Sequence, residues 1–300
     1  MGADNNLAQG WDAVWPAPAK LNLCLLITGR REDGFHRLQT AFQIIDLLDY
    51  VKFSKLPDGQ FTLSGGMESI PPDEDLCMQA ARLLYQHCRP GSGAAITLQK
   101  NIPVGAGMGG GSSDAATTLL ALNHLWRAGL SREELAGIGL ELGADVPLFV
   151  HGQSAWGEEL GERLSPEKWP RRWFLVLNPG VSIATEAIFS APELTRNSTP
   201  ITIRSFLKDG AGNDCESAVR SRYPKVDEAL TWLSRFGRSR LTGTGSCVFL
   251  AFERWQDAEE VRVEVPEKWS RWLVRGLDTS PVNEVLESQG PDRGKSERGA

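Results

Sequence analysis

Polar and apolar residues alternate along residues 18–29, PAKLNLCLLITG, and a period of two predicts a β-strand. Lys20, Asn22 and Cys24 would share one face, with Leu21, Leu23, Leu25 and Ile27 turned into a core. Two long polar side chains on one strand face suit either a solvated surface or a site. A turn around Asp33-Gly34 leads into a further apolar stretch to residue 53. Over 73–88 the period changes. Leu76, Ala80, Leu83, Leu84 and His87 recur at spacings of three and four, which predicts a helix. Residues 94–99, AAITLQ, read as a strand again.

Glycines dominate 105–111. Ser112, Ser113 and Asp114 then open a helix with Ala115, Ala116, Leu119, Leu120 and Leu122 on its apolar side, and Gly129 stands just past its end. Ser131 and Glu134 form a capping-box pattern for another helix, which stops near Gly143. The turn Ala144-Asp145-Val146-Pro147 then leads into PLFV, read as a strand. A domain boundary is expected around 155–170. Beyond it come a strand at WFLVLNPG, a Pro-rich loop, helices around 213–235 and a last strand after LTGTGS. Strands and helices do not alternate regularly, so an α+β chain is expected rather than a doubly wound parallel sheet. The tail from about Ser288 is polar and Gly-rich and reads as unstructured.

Composition narrows the partners. A length of 300 residues suits two domains or one large one. A net charge of -6 argues against nucleic acid, while leaving room for a local basic pocket. The five cysteines are scattered, with no CxxC pair, which excludes a zinc ribbon and suits a reducing cytoplasm. The first residues lack the pattern of a secretory signal, and no apolar run reaches transmembrane length, so no membrane partner is expected.

A glycine-rich loop followed at once by a helix start is a phosphate cradle. Glycine lets backbone approach a ligand closely, and the free N–H groups of a helix N-terminus face the anion. Ser112 and Ser113 can cap the helix or bond a phosphate oxygen, with plain capping expected for at least one. Gly105, Gly107 and Gly110 also spell G-x-G-x-x-G. Asn101-Ile102-Pro103 separates that loop from its strand, against a dinucleotide fingerprint. The stretch from Gly290 to Ser296 is one residue short of a Walker A loop and follows no strand.

These residues resemble a known superfamily. PVGAGMGGGSSDAA is similar to the ATP-binding motif of GHMP kinases. PAKLNLCLLITGRREDGFHRLQT, LGADVPLFVHG and LTGTGSCVF resemble, in order, blocks of the 4-diphosphocytidyl-2-C-methyl-D-erythritol kinases within it. The resemblance covers nearly the whole ordered chain. It implies a two-domain α+β GHMP kinase fold with the active site in the interdomain cleft. An ATP-binding domain would span 10–160, a substrate-binding domain 161–286, and a disordered tail 287–300. It implies transfer of phosphate from ATP, with Mg2+, to the 2-hydroxyl of the cytidyl substrate, in the non-mevalonate route to isoprenoid precursors.

By the same resemblance Lys20 and Asp145 are catalytic. Lys100, Pro103, Val104, Gly105, Ala106, Gly107, Met108, Gly109, Gly110, Gly111, Ser112 and Ser113 contact ATP. Asn22, Phe35, His36, Phe42, Thr185 and Phe189 contact the substrate, with Phe35 and Phe189 stacking on the cytosine and His36 reading its edge. The metal ligands and the oligomeric state stay unassigned. Three positions depart from the family pattern: Asp114 stands where some relatives carry Asn, Asp75 where relatives often have Asn near the adenine, and Phe35 where Tyr is commoner. A carboxylate such as Asp145 can orient a hydroxyl and accept its proton, and Lys20 can stabilise negative charge developing on oxygen. An isolated Asp in a turn more often caps, and the LGADVP block reverses that preference by resemblance alone. The rival readings are another GHMP kinase, of homoserine or mevalonate type, and a non-catalytic sensor of the same fold. The D-G-F-H block with Phe189 speaks against the first, and retention of Lys20 and Asp145 against the second.

Overall fold

The computed structural model describes residues 10–67 and 70–288. The chain opens with two long antiparallel strands, β1 (Val14–Arg30) and β2 (His36–Leu56), joined at the expected turn. Asp33 closes that turn by accepting from the Phe35 N–H. There follow β3 (Phe61–Gly65), α1 (Leu76–Cys88), β4 (Gly93–Gln99), α2 (Gly110–Leu125), α3 (Arg132–Leu140) and α4 (Val146–His151). The strands β5 (Ala155–Glu159), β6 (Arg163–Pro166) and β7 (Trp173–Asn178) come next, then α5 (Thr185–Phe189), α6 (Ile203–Asp209), α7 (Glu216–Arg222) and α8 (Pro224–Leu233). The described chain ends with β8 (Arg240–Leu241), β9 (Val248–Phe252), α9 (Trp255–Glu264), β10 (Ser270–Leu277) and α10 (Val282–Ser288).

The strands form one sheet in the order β3-β4-β2-β10-β7-β9-β8, with β1 and β5 also on β2 and β6 on β5. Among the described strands only β3 and β4 pair in parallel, so the fold is α+β. The glycine loop follows β4, and the next strand after α2, β5, pairs with β2 and β6 rather than parallel to β4, against a dinucleotide-binding βαβ unit at that loop. One core lies between the first strands and α1 to α4, and a second packs α7 and α8 on β7 and β9. The expected inner face of α2 is all in place: Ala115, Ala116, Leu119, Leu120 and Leu122 are buried. The capping box of Ser131 and Glu134 is formed at α3.

Several local expectations are corrected. PLFV is helical, in α4, because a short apolar run suits either period and Pro147 sits well in a first helical turn. The helix expected from residue 73 begins at Leu76, with Asp75 as N-cap accepting from Cys77 N–H. Ser112 and Ser113 lie inside the first turn of α2, and the N-cap is Gly109 in a left-handed conformation. Strict alternation fails in β1. A register shift between Asn22 and Cys24 puts Cys24 into one core with Leu21 and Leu23, leaving Lys20 and Asn22 to line a cleft. Glu287 and Ser288, assigned to the loose tail, close α10; the rest of that tail and its Walker-like stretch lie outside the described residues. Among the described residues no helix is long and apolar enough to cross a membrane.

Candidate active site

A cleft of about 510 Å3 opens where β1, α1, the glycine loop, α5 and the loop before β9 meet. Lys20 stands at its centre, 4% exposed. Its backbone N–H donates to Met108 O at 3.0 Å, which ties the strand to the glycine loop. Its ammonium donates to Asn22 Oδ1 at 2.6 Å and lies 3.3 Å from Asp145 Oδ2. Asn22 is itself oriented: its Nδ2 donates to Thr40 Oγ1 at 2.8 Å, and Thr40 donates to Cys24 O. The Asn22 amide therefore aims Lys20 through a buried chain of donors and acceptors. Asp145 occupies the N-cap position of α4 but caps nothing, and its carboxylate turns to Lys20 instead. The capping alternative is thereby excluded.

The glycine loop is pinched between β1 and the LTGTGS segment. Thr242 Oγ1 donates to Gly107 O at 3.2 Å, and Cys247 N–H donates to Ala106 O at 3.1 Å. Gly107 has φ +76, and a Cβ there would sit 2.2 Å from Thr242 O. Only glycine fits that approach. At Gly109 a Cβ would press on the Phe149 ring and on Lys20 Cε, so a side chain there disturbs the lysine as well as the cradle. No side chain caps α2, which leaves its first N–H groups directed at the cleft.

Beneath the loop Lys100 is engaged by two carboxylates, Asp49 and Asp114. Burial works against its ammonium, but Asp114 and Asp49 outweigh burial and raise its pKa. Burial pushes the Asp114 carboxyl up to about 7, with Lys100 opposing and Asp49 adding to the shift.

At the other end Phe42 lies under the Lys20 ammonium, whose nitrogen is 5.6 Å from the ring centroid. Thr185 and Thr244 hydroxyls meet at 3.1 Å, and Phe189 forms a wall. His36 stacks on Phe189 with ring centroids 5.3 Å apart, and Arg196 Nε donates to its Nε2 at 3.2 Å. Accepting at Nε2 leaves the His36 proton on Nδ1. Burial, Arg196 and Arg30 lower its pKa, so the ring is neutral near pH 7.

The structure thus gathers around one cleft Lys20, Asn22, Phe42, Lys100, residues 103–112, Asp145, Thr185 and Phe189. Three expected residues do not line it. Phe35 is 62% exposed at the β1–β2 turn, His36 sits against Phe189 outside the lining, and Ser113 is fully buried with an unpartnered hydroxyl. Asp49, Thr40, Thr242 and Arg196 went unnoticed in the sequence. Asp49 left a signal as an acidic residue inside the apolar stretch LLDYV, and Thr40 and Thr242 lie within blocks singled out by resemblance without being named themselves. Among the described residues no three His, Cys, Asp or Glu side chains gather as a metal cluster.

Known proteins match this arrangement. Residues 75–153 match the GHMP kinases N terminal domain and residues 193–271 the GHMP kinases C terminal domain. A 4-diphosphocytidyl-2-C-methyl-D-erythritol kinase from Alkalilimnicola ehrlichii is 53% identical over 91% of this chain and 94% of its own. One from Nitrosococcus oceani is 47% identical over 92% of this chain and 99% of its own. A crystal structure of 4-(cytidine 5'-diphospho)-2C-methyl-D-erythritol kinase superposes with a TM-score of 0.78 at 30% identity, covering 88% of this chain and 99% of that one. Identity of that order, sustained through both halves of the cleft, places the chain in the GHMP kinases, within the family of 4-diphosphocytidyl-2-C-methyl-D-erythritol kinases.

Proposed function

We propose that the chain transfers the γ-phosphoryl group of ATP to the 2-hydroxyl of 4-diphosphocytidyl-2-C-methyl-D-erythritol, giving the 2-phosphate and ADP for isoprenoid precursor synthesis by the non-mevalonate route. The observation that carries this reading is the Lys20–Asp145 pair, 3.3 Å apart beside the glycine loop in a chain 53% identical to such a kinase. Residues 10–160 would hold the nucleotide, and the acceptor walls would come from both parts: Asn22 and Phe42 from 10–160, Thr185 and Phe189 from 161–286.

Phosphoryl transfer depends on positioning and charge neutralisation. The loop and the N-terminus of α2 present N–H donors to the phosphates, and Ser112 adds a hydroxyl. Asp145 accepts a hydrogen bond from the acceptor hydroxyl and takes its proton as the oxygen bonds to phosphorus. The bond from phosphorus to the β–γ bridging oxygen breaks, and ADP keeps the electron pair. Lys20, aimed by Asn22, stabilises the negative charge on the transferring group. Phe189 offers a ring face to the pyrimidine, with His36 Nδ1–H the nearby donor.

Mg2+ takes one or two carboxylates and completes its shell with phosphate oxygens and water. Asp145, 31% exposed in the cleft, fits that need and is the side chain that would hold it. When bound, the ion would neutralise charge on the β- and γ-phosphates. We place the enzyme in the cytoplasm, where its unpaired cysteines stay reduced, acting on a small molecule rather than nucleic acid or membrane.

ADP release measured with the cytidyl substrate, homoserine and mevalonate tests the reading. Turnover is expected with the cytidyl substrate alone. Turnover with homoserine or mevalonate only, or with none of the three, overturns it.

A further inference from the structure

Lys100 donates to Asp49 on β2 and, at 2.6 Å, to Asp114 on α2. The two carboxylates differ in how they are satisfied. Asp49 is fully buried, and both its oxygens are filled: Lys100 donates to one, and the backbone N–H groups of Asn101 and Ile102 donate to the other. Asp114 is 2% exposed and borders the cleft, yet its Oδ1 is buried with no partner among the described residues. A carboxylate oxygen cut off from both water and donors is costly. Facing bound phosphates it would be costlier, because like charges repel strongly in a low-dielectric site.

The surrounding groups do not relieve this. Asp75 and Cys77 approach from α1. Asp75 adds negative charge, and burial, then Asp114 and Asp75, keep Cys77 a neutral thiol. Lys100 remains an ammonium, so with both carboxylates ionised the cluster carries one excess negative charge.

We propose that Asp114 is a positioning residue of the nucleotide site that takes up a proton from solvent when nucleotide binds. The proposal rests on the glycine loop being the nucleotide cradle. One proton removes the excess charge under the phosphates and the cost of a buried, unpartnered carboxylate oxygen, while Lys100 keeps its bond to Asp114 Oδ2. Burial has already brought this carboxyl up to about 7, so the free protein is poised for the change. Bound phosphates raise it further. Above that value binding takes up a proton, and affinity falls with rising pH by up to about tenfold per pH unit. Below it the proton is already in place and uptake disappears.

Calorimetry of ADP with magnesium, in buffers of different ionisation enthalpy, counts the protons directly. Wild type should take up most of one proton at about pH 8 and little at about pH 6, where the carboxyl is already protonated. Asp114→Asn should bind ADP with that uptake abolished and with affinity flat above neutrality. A residue that only stabilised the fold would lower the melting temperature and leave the proton count unchanged. Binding without uptake in wild type at about pH 8, or equal uptake in wild type and variant, overturns the inference and leaves the cradle standing. Absence of ADP binding by wild type overturns the cradle itself. Should Asp114→Asn fail to fold, the wild-type counts at the two pH values decide.

Discussion

The two ends of the cleft are built on different principles. The glycine-loop end is backbone from one continuous segment, clamped by Thr242 above and by the Asp49–Lys100–Asp114 cluster below. The Phe189 end is a set of side chains brought from β1, β2, α5 and the loop before β9. A backbone cradle binds what every nucleotide shares, its phosphates. A wall of side chains discriminates one acceptor from another and changes residue by residue. The first should fail as a unit when its backbone is disturbed, and the second should lose function in graded steps.

Asp145 stands between the two ends, and its replacement should have the largest effect. Asp145→Asn should cut turnover by about 10²- to 10⁴-fold, the usual contribution of a general base, with affinity for magnesium-free ADP retained. Near-wild-type kcat in this variant removes the base from the reading.

Gly107→Ala sharpens the claim that the cradle fails as a unit. The new Cβ would meet Thr242 O at 2.2 Å with φ at +76. Strain of about 1–3 kcal/mol should lower the melting temperature and weaken nucleotide binding together. Gly137→Ala in α3, where a Cβ meets nothing within 4 Å, is the control and should stabilise by about 0.5–1 kcal/mol. Equal melting temperatures for the two variants would falsify the close-approach argument.

Phe189→Ala tests the graded end. Loss of one stacking surface, about 1–3 kcal/mol per base, should raise the acceptor KM roughly 5- to 150-fold and leave the KM for ATP unchanged. A rise confined to ATP would mean that the two ligands have been placed in the wrong halves.

The smallest contrast lies within one helical turn. Ser112 lines the cleft while the Ser113 hydroxyl is buried and unpartnered. Ser112→Ala should raise the KM for ATP several-fold, the loss of one hydrogen bond of about 1 kcal/mol. Ser113→Ala should leave that KM alone and hold or slightly raise the melting temperature. The reverse pattern would exchange their roles.

Much of the glycine-loop end was legible in the sequence because its chemistry is local. The glycines, the helix that follows and the capping box of Ser131 and Glu134 each depend on residues within a few positions of one another. The Phe189 end was legible only through resemblance to a family. Arg196 and His36 meet across 160 residues, and no local pattern announces such a contact.

Sequence by itself determined the α+β class and pointed to the cradle, because period and glycine placement are carried by neighbouring residues, while Lys20 and Asp145 were candidates through block resemblance. Tertiary structure decided what remained open. PLFV became helix α4 because four apolar residues satisfy either period and packing makes the choice. Asp49 reaches Lys100 because β2 pairs with β4 in the register Tyr50 to Gln99, which sets residues 51 apart side by side. Lys20 faces Asp145 only once β1 and α4 are packed around the same loop. Charge partners are chosen by strand register and packing, and neither can be read from a window of the chain.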